Sequence, residues 1–419
     1  MAAVLGTYRW ASSKQELPVL ADVPVAILLP KIDSQDIGVH DIDKQSRPQD
    51  CAGEDIPLPS DGVQLAAKDN ACRQKEGFDA VFERRNVDPE SRYYYYFEYA
   101  NLTNEDMASD EADHALRAIK TLYGRGVRVF IITMSGAVKK IQPKFEEWVD
   151  KVDPRDRPIL IATVASAPGI ANREKGVLRH YIRSKDEVAI LSTHIESIKP
   201  TPEVVRVFRV DDDYGNRAKV LFKDRLKGLS NIDFGTYKID PIPEKEDIEK
   251  KVQDFVDDSA GKSAVAVIVG YGKLISSTLE SLRAKAEFEG PILVVSTFTE
   301  KQWRPESLDR GNDSYDHGFA KRIYTVGPAN EGAESEERGV VYQFSHMTLD
   351  RALASLDVDD CPQLKGGGET RTHGFAEVFW ECWRTATTTE DWAEVEFTAD
   401  GDSHVTLKML DYDPEKKEW

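Results

Sequence analysis

The strongest restriction on the fold comes from short β-branched runs that alternate with segments of helical periodicity from Val23 onward. Such alternation is typical of βα units in a mostly parallel sheet. The chain has 419 residues, more than the roughly 250–300 at which a single core usually stops growing, so we expect two domains. The predicted strands form two sets of four: Val25–Leu29, Tyr93–Phe97, Val127–Thr133 and Ile159–Val164, then Val204–Val210, Ile232–Tyr237, Val265–Val269 and Ile292–Val295.

Helical spacing of apolar residues occupies several intervals between these strands, and each such helix can bury one stripe against a sheet. After the second set, two segments rich in Gly, Asp, Glu, Ser and Asn predict surface loops, Ser307–Gly318 and Gly327–Gly339. Regular structure is then expected to return. A helix at 372–384 and strands at Ala393–Thr398 and Val405–Leu410 are predicted there. The helices predicted before the loops are Ala115–Leu122, Ile248–Val256 and Ile275–Ala286.

Charge and hydropathy exclude several functions. The formal net charge of −19 argues against a nucleic-acid partner, because such binding depends on Lys and Arg at phosphates. No apolar run approaches the roughly 18 residues of a membrane span. Residues Met1–Leu20 lack the apolar core of a secretory signal, so either a signal was removed or the protein stays inside the cell.

The four cysteines do not decide the compartment. None has metal-ligand or CxxC spacing. Cys51 and Cys72 are predicted to form a disulfide if the protein is extracytoplasmic, and reduced structural cysteines are the alternative.

The residues that follow the strands are the candidate ligand contacts, because ligands of doubly wound sheets bind beyond the carboxyl ends of the strands. Ser135 with Gly136, and Ser166, are expected at helix N-termini, where free N–H groups favour an anion such as a carboxylate. The alternative is that both serines are ordinary N-caps. Tyr214 and Tyr271 could cover a ligand, or could simply be packed in the core.

Enzyme signatures are absent from the sequence, which has no GxSxG, HExxH or GxxxxGK[ST] motif. Gly270 and Gly272 are followed by Ile275 at the position where the dinucleotide-binding motif GxGxxG needs glycine or alanine. We assign no catalytic residue, cofactor or metal. The acidic run Asp211–Asp213 lacks calcium-loop spacing and is predicted to be a solvated loop that caps the next helix.

Five stretches in register resemble the type 1 periplasmic binding proteins, the branched-chain amino-acid receptor family of ABC transporters. They are VPVAILLP, ILIATVASAPGIAN, LRHYIRSKDEVAIL, VVRVFRVDDDYGNRAKVLFKDRL and VAVIVGYGKLISSTLESLRAKAEFEGPILVVST. The resemblance implies an α/β fold of two Rossmann-like lobes joined by a three-crossover hinge, without a cofactor. Carried over by position, the ligand contacts would be Ser135, Ala165, Ser166, Tyr214, Tyr271 and Thr297. Thr297 stands where amino-acid binders of the family often have an acid.

The expected function is that of a solute-binding receptor for ABC-type uptake, which closes on a small polar ligand that carries a carboxylate. A cytoplasmic sensor or regulatory module of the same fold is the alternative, and an enzyme is a third. The resemblance implies a periplasmic location, whereas a native start at Met1 would imply a cytoplasmic one. A permease or signalling domain would read the closed form of a monomer or weak dimer. The predicted lobes are 23–183 with 326–398, and 184–325 with 399–419.

Overall fold

The fold is described from a computed structural model of the chain. The described residues are 25–30, 74, 76–81, 84, 93–97, 105–124, 126–133, 135–229, 231–240, 243–300, 303–308, 315–329, 339–356, 374–386 and 392–412. Within them, strands and helices alternate as the sequence predicts, in two parallel-rich sheets with helices against them.

The first sheet has the strand order β2-β1-β3-β4-β5, and all of its described pairs are parallel. Apolar residues from both of its faces form two clusters, so the sheet is covered on both sides. Its strands and the helices between them are β1 (Val25–Pro30), β2 (Tyr93–Phe97), α1 (Glu105–Gly124), β3 (Val129–Thr133), α2 (Ser135–Val149), β4 (Ile159–Thr163) and β5 (Val177–His180).

The second sheet has the order β13-β10-β9-β8-β6-β7, in which only the pair of β10 and β13 is antiparallel among the described strands. One apolar cluster surrounds it. Its elements are α3 (Ser184–Ser197), β6 (Val204–Val210), α4 (Asp213–Leu226), β7 (Asp233–Ile239), α5 (Lys245–Asp258), β8 (Ala264–Val269), α6 (Lys273–Arg283), β9 (Ile292–Val294), α7 (His317–Ala320), β10 (Ile323–Pro328) and β13 (Leu407–Asp411).

Three further elements complete the described fold: helices α8 (Val340–Leu356) and α9 (Phe375–Thr385), and the hairpin of β11 (Val395–Phe397) and β12 (Ser403–Val405). Helices α8 and α9 pack on the first sheet. The described chain therefore passes between the two halves three times, after β5, after β10 and after β12. A separate apolar group, the hinge cluster, lies at these passages and consists of Tyr181, Ile182, Val340, Tyr342, Phe344, Met347, Trp392, Ala393 and Val405.

The second passage is fixed by hydrogen bonds from the beginning of α8. The Val340 N–H donates to Thr299 Oγ1 at 3.1 Å, and the Val341 N–H donates to Glu300 Oε1 at 2.6 Å. Glu300 is buried. A carboxylate at the positive end of a helix is favourable, so residues beyond β9 hold the first-half helix α8 in place.

Several described elements were absent from the sequence-based prediction, among them α3, α8, β5, β10 and α7, whose first two residues lie in the predicted loop Ser307–Gly318. Helix α8 was missed because all of its residues are buried, polar ones such as His346 and Asp350 included, so its polar positions do not mark a solvent-exposed face. Strand β5 is only four residues long and ends in Arg179 and His180, whose side chains are buried. Strand β10 includes Gly327 and Pro328, so the predicted loop at Gly327–Gly339 was wrong for those two residues.

The predicted lobe boundaries remain a proposal, with one amendment. Val326 was assigned to lobe 1, but it pairs with Met409 in the second sheet, because β10 runs on to Pro328. The predicted disulfide of Cys51 and Cys72 lies outside the described residues. Among the described helices, none is long and apolar enough to cross a membrane.

Candidate functional site

The carboxyl edge of the first sheet holds four of the predicted contacts. Ser135 begins α2 directly after β3, and its Oγ accepts the Ala167 N–H at 3.1 Å. Ser135 and Gly136 are half-buried, whereas Ala165 and Ser166 are buried. The structure therefore brings the ends of β3 and β4 together through one side chain.

Ser166 does not cap a helix that follows it, so that prediction was wrong. The chain continues through Pro168 and Gly169 to strand β5, because a proline disfavours helical geometry in the residue before it. Ser166 nevertheless lies at a helix N-terminus. Its carbonyl oxygen accepts the N–H of Ser184, the first residue of α3, at 3.0 Å.

The carboxyl edge of the second sheet is held together by side chains. Asp212 caps α4 by accepting the Gly215 N–H at 2.9 Å, as predicted for the acidic run, and it also accepts the Tyr271 hydroxyl at 2.8 Å. Asp212 is only half-exposed, in contrast to the solvated loop that was expected. Thr297 donates its hydroxyl to the Gly270 carbonyl at 2.7 Å. The ends of β6, β8 and β9 are therefore linked in a row.

Glu187, in the first turn of α3, is a central residue that the sequence reasoning missed. Only 2% of it is exposed. One carboxylate oxygen accepts the Tyr214 hydroxyl at 2.9 Å, and the other accepts the Ser296 N–H at 3.0 Å and the Ser296 hydroxyl at 2.5 Å. The signal was present in the sequence, because Glu187 stands one helical turn before Leu191 and two turns before Ile195, on the apolar stripe of α3.

Burial changes the ionisation of this group of residues. Burial raises the pKa of Glu187, although the three hydrogen bonds to the carboxylate act in the opposite direction and lower it. Burial likewise raises the pKa of Asp212, opposed by the bonds from Gly215 and Tyr271. The pKa values of Tyr214, which is buried, and of Tyr271, which is half-buried, lie well above 10, because loss of hydration disfavours the phenolate and each hydroxyl donates to a carboxylate. Both tyrosines are therefore hydroxyl donors at neutral pH.

The two carboxyl edges face each other. The bond between Ser166 and Ser184 joins them on the side of the first passage. Lys139 in α2 lies 3.4 Å from the carboxylate of Asp213, the first residue of α4. The residues predicted to bind a ligand therefore follow strands on both sides of one interlobe region, with serines and backbone amides on one side and tyrosines and acids on the other.

Comparison with known proteins gives a result at the level of structure only. No family model matches the sequence, and no curated protein is significantly similar to it. Solved structures do match. A 3,4-dihydroxybenzoic acid complex of an ABC transporter solute-binding protein from Rhodopseudomonas palustris has a TM-score of 0.61 at 10% identity, over 94% of each chain. The chain has the type 1 periplasmic binding protein fold.

Two further structures share the type 1 periplasmic binding protein fold with this chain. A leucine binding protein from Thermotoga maritima has a TM-score of 0.59 at 13% identity, over 94% of this chain and 96% of that one. An extracellular ligand binding receptor from Desulfohalobium retbaense has a TM-score of 0.60 at 13% identity, over 93% of this chain, which spans only 58% of that longer chain. Within the described residues, no group of three or more His, Cys, Asp or Glu side chains could hold a metal ion.

Proposed function

We propose that the protein is a solute-binding receptor that holds a small carboxylate-bearing ligand between its lobes and closes on it, for ABC-type uptake. The facing carboxyl edges support this proposal, because Ser135 and Ser166 follow strands of one edge while Tyr214 and Tyr271 follow strands of the other. A ligand that touches both edges makes more contacts in the closed form. It therefore shifts the equilibrium between open and closed forms by that difference in binding free energy.

The first-lobe edge supports recognition of the carboxylate. Helix α2 begins with Ser135 and Gly136 and has no acidic residue in its first turn, so its free N–H groups and dipole favour an anion. Ala165 and Ser166 would add backbone amides from the neighbouring strand end. Lys139 adds a positive charge in the same region.

The second-lobe edge supports an ammonium or another cationic group on the ligand. Glu187 is buried, and among the described residues no basic side chain forms an ion pair with it; the charge that acts on it is that of Asp186, which raises its pKa. Buried carboxylates normally have a positive partner. We propose that Glu187 supplies the negative charge that Thr297 does not, which favours an amino acid over a simple carboxylate.

A disulfide supports the receptor over the cytoplasmic sensor. Cys382 in α9 is disulfide-bonded and buried, and disulfides persist mainly in oxidising compartments. No described residue favours an enzyme in the same way.

Calorimetry with L-leucine and with 3,4-dihydroxybenzoate tests the proposal. Wild-type protein should bind at least one of them, and Ser135→Ala and Ser166→Ala should each weaken binding of that ligand on the order of tenfold, since each removes a polar contact to a charged group. Ser197→Ala, at the far end of α3 from the interlobe region, is the matched control and should leave the affinity unchanged.

The Glu187→Gln variant tests the ligand class. It should weaken L-leucine binding at least tenfold and leave 3,4-dihydroxybenzoate binding unchanged, because only the amino acid carries an ammonium. Unchanged L-leucine affinity would show that Glu187 does not select the ligand. Mass spectrometry of small molecules released from the purified protein provides an independent check, and recovery of a ligand without a carboxylate would overturn the assignment.

A further inference from the structure

The loop that follows β4 begins with a strained residue. Val164 has a φ of 50°, in the left-handed region that β-branched residues rarely adopt. Its half-buried side chain packs against both the core of the second lobe and the hinge cluster. Residues in this region persist only where their surroundings hold them, and they concentrate at ligand sites. The surroundings of this loop must therefore supply the missing stability.

Three hydrogen bonds from three different elements hold the loop. Ser135 accepts the Ala167 N–H at 3.1 Å, and the Ser184 N–H donates to the Ser166 carbonyl at 3.0 Å. The third comes from β5, where Arg179 Nη1 donates to the Ala167 carbonyl at 2.5 Å. Ala167 is thus fixed at its N–H by Ser135, one of the predicted ligand contacts, and at its carbonyl by Arg179.

Arg179 is itself held by the hairpin at the third passage. Only 2% of it is exposed, and its Nε and Nη2 donate to the two carboxylate oxygens of Asp402 at 2.5 and 2.6 Å. Such bidentate pairs fix the guanidinium plane as well as its position. Arg183 also approaches Asp402, at 4.0 Å.

The hairpin of β11 and β12 also docks beside β5 through hydrogen bonds to backbone groups. The Arg179 N–H donates to the Gly401 carbonyl at 3.0 Å. The Ser403 hydroxyl accepts the Tyr181 N–H at 3.0 Å and donates to the Tyr181 carbonyl at 2.7 Å. The buried side chain of Arg179 therefore connects the third passage to the loop after β4.

We propose that Arg179, held by Asp402, is a positioning residue that keeps the loop 164–169 in its strained, ligand-ready conformation. The role of this loop in ligand binding rests on the proposed function. Whether Arg179 holds the loop in place can be measured without a ligand. Without Arg179, the loop would relax at Val164, and each binding event would have to restore the strained conformation. Affinity would fall although no residue of the ligand site had changed.

Asp402→Asn and Arg179→Lys test the proposal by hydrogen exchange and binding. Exchange in peptides that cover residues 164–169 should become at least tenfold faster in both variants. The Kd for whichever of L-leucine and 3,4-dihydroxybenzoate binds the wild type should rise at least tenfold. Asp233→Asn, which removes one carboxylate partner of another buried arginine, Arg206, in the second lobe, is the matched control and should leave both readouts within twofold.

Substitutions at Val164 separate strain from packing. Glycine adopts a φ of 50° without strain and alanine does not, while both remove the valine side chain. With Asp402 intact, Val164→Gly and Val164→Ala should have equal affinity for whichever of L-leucine and 3,4-dihydroxybenzoate binds the wild type. With Asp402→Asn, the glycine variant should bind on the order of five- to tenfold more tightly than the alanine variant, because only alanine must be forced back into the left-handed region.

Two results would overturn the proposal. One is unchanged exchange and unchanged Kd in both Asp402→Asn and Arg179→Lys while their free energy of unfolding falls, which would make the pair a stabilising contact only. The other is equal affinity of the glycine and alanine variants in the Asp402→Asn background. If the wild type binds neither probe, the proposed function fails, and exchange of residues 164–169 alone decides: faster exchange supports the positioning role, and unchanged exchange overturns it.

Discussion

The two carboxyl edges that face each other are built in different ways. At the edge of the first lobe, the contacts that hold the loop go to backbone groups of Ser166 and Ala167. At the edge of the second lobe, side chains hold side chains, as in the bonds from Tyr271 to Asp212 and from Tyr214 to Glu187. Under the proposed function, a ligand would contact a backbone loop on one side and a network of polar side chains on the other.

The difference bears on how binding residues are identified. On the second-lobe edge, a tyrosine at a strand end is already a hydrogen-bond donor to an acid, so it would present its ring or its remaining acceptor capacity to a ligand. On the first-lobe edge, no described residue accepts a hydrogen bond from the Ser135 or Ser166 hydroxyl, while the loop itself is fixed through its backbone. The comparison predicts that truncating a networked side chain of the second edge costs more stability than truncating a side chain of the first.

The largest effect is expected from Glu187→Ala. The substitution leaves the Tyr214 hydroxyl and both Ser296 donors without their acceptor in a buried site, which should reduce the free energy of unfolding by about 3 kcal/mol or more. Ser135→Ala removes the acceptor of one N–H and should cost about 1 kcal/mol. Urea unfolding of both variants measures the contrast, and equal losses would abolish the distinction between the edges.

Glycine-to-alanine substitutions at the two edges test the same comparison with smaller expected effects on stability. A Cβ at Gly215 would lie 1.9 Å from the backbone carbonyl oxygen of Val210, so the start of α4 must move, at an expected cost of about 2–3 kcal/mol. At Gly169, with a φ of 73° and no atom within 4 Å of the added Cβ, the expected cost is about 1 kcal/mol. Thermal unfolding in the absence of ligand should rank the two in this order, and the reverse ranking would contradict it.

The pH dependence of stability should differ between wild type and Glu187→Gln. Since burial raises the pKa of Glu187 above that of the unfolded chain, the folded protein binds this proton more tightly. Stability from this group is present at low pH and is lost as the pH rises from the unfolded pKa through the folded one. The Gln variant lacks this loss. Urea unfolding of both proteins from pH 4 to pH 8 should show wild type losing stability relative to the variant, and parallel curves would refute the assignment.

The smallest effect is expected from Lys139→Ala. The ion pair with Asp213 joins helices on opposite edges but is partly exposed, and such pairs contribute about 0.5 kcal/mol. Small-angle scattering should show a slight shift toward the open form, and ligand affinity should fall roughly twofold, with a weaker effect at high salt. A tenfold loss would mean that Lys139 contacts the ligand directly.

Much of the second lobe could be predicted from the sequence because its signals are local. Strand β6 was placed at Val204–Val210 without error, and the capping role of Asp212 follows from its position before α4. The strand ends then pointed to Ser135, Ser166, Tyr214 and Tyr271 as residues near one region, since parallel strands end at a common edge.

What the sequence alone determined was therefore the α/β alternation, the two sets of strands and the chemistry available at their carboxyl ends. The tertiary structure decided which of those groups bond to each other. Glu187 lies 109 residues from Ser296, and Arg179 lies 223 residues from Asp402. Contacts over such separations leave no periodic trace in the sequence, because they arise only when two lobes and three passages of the chain are packed together.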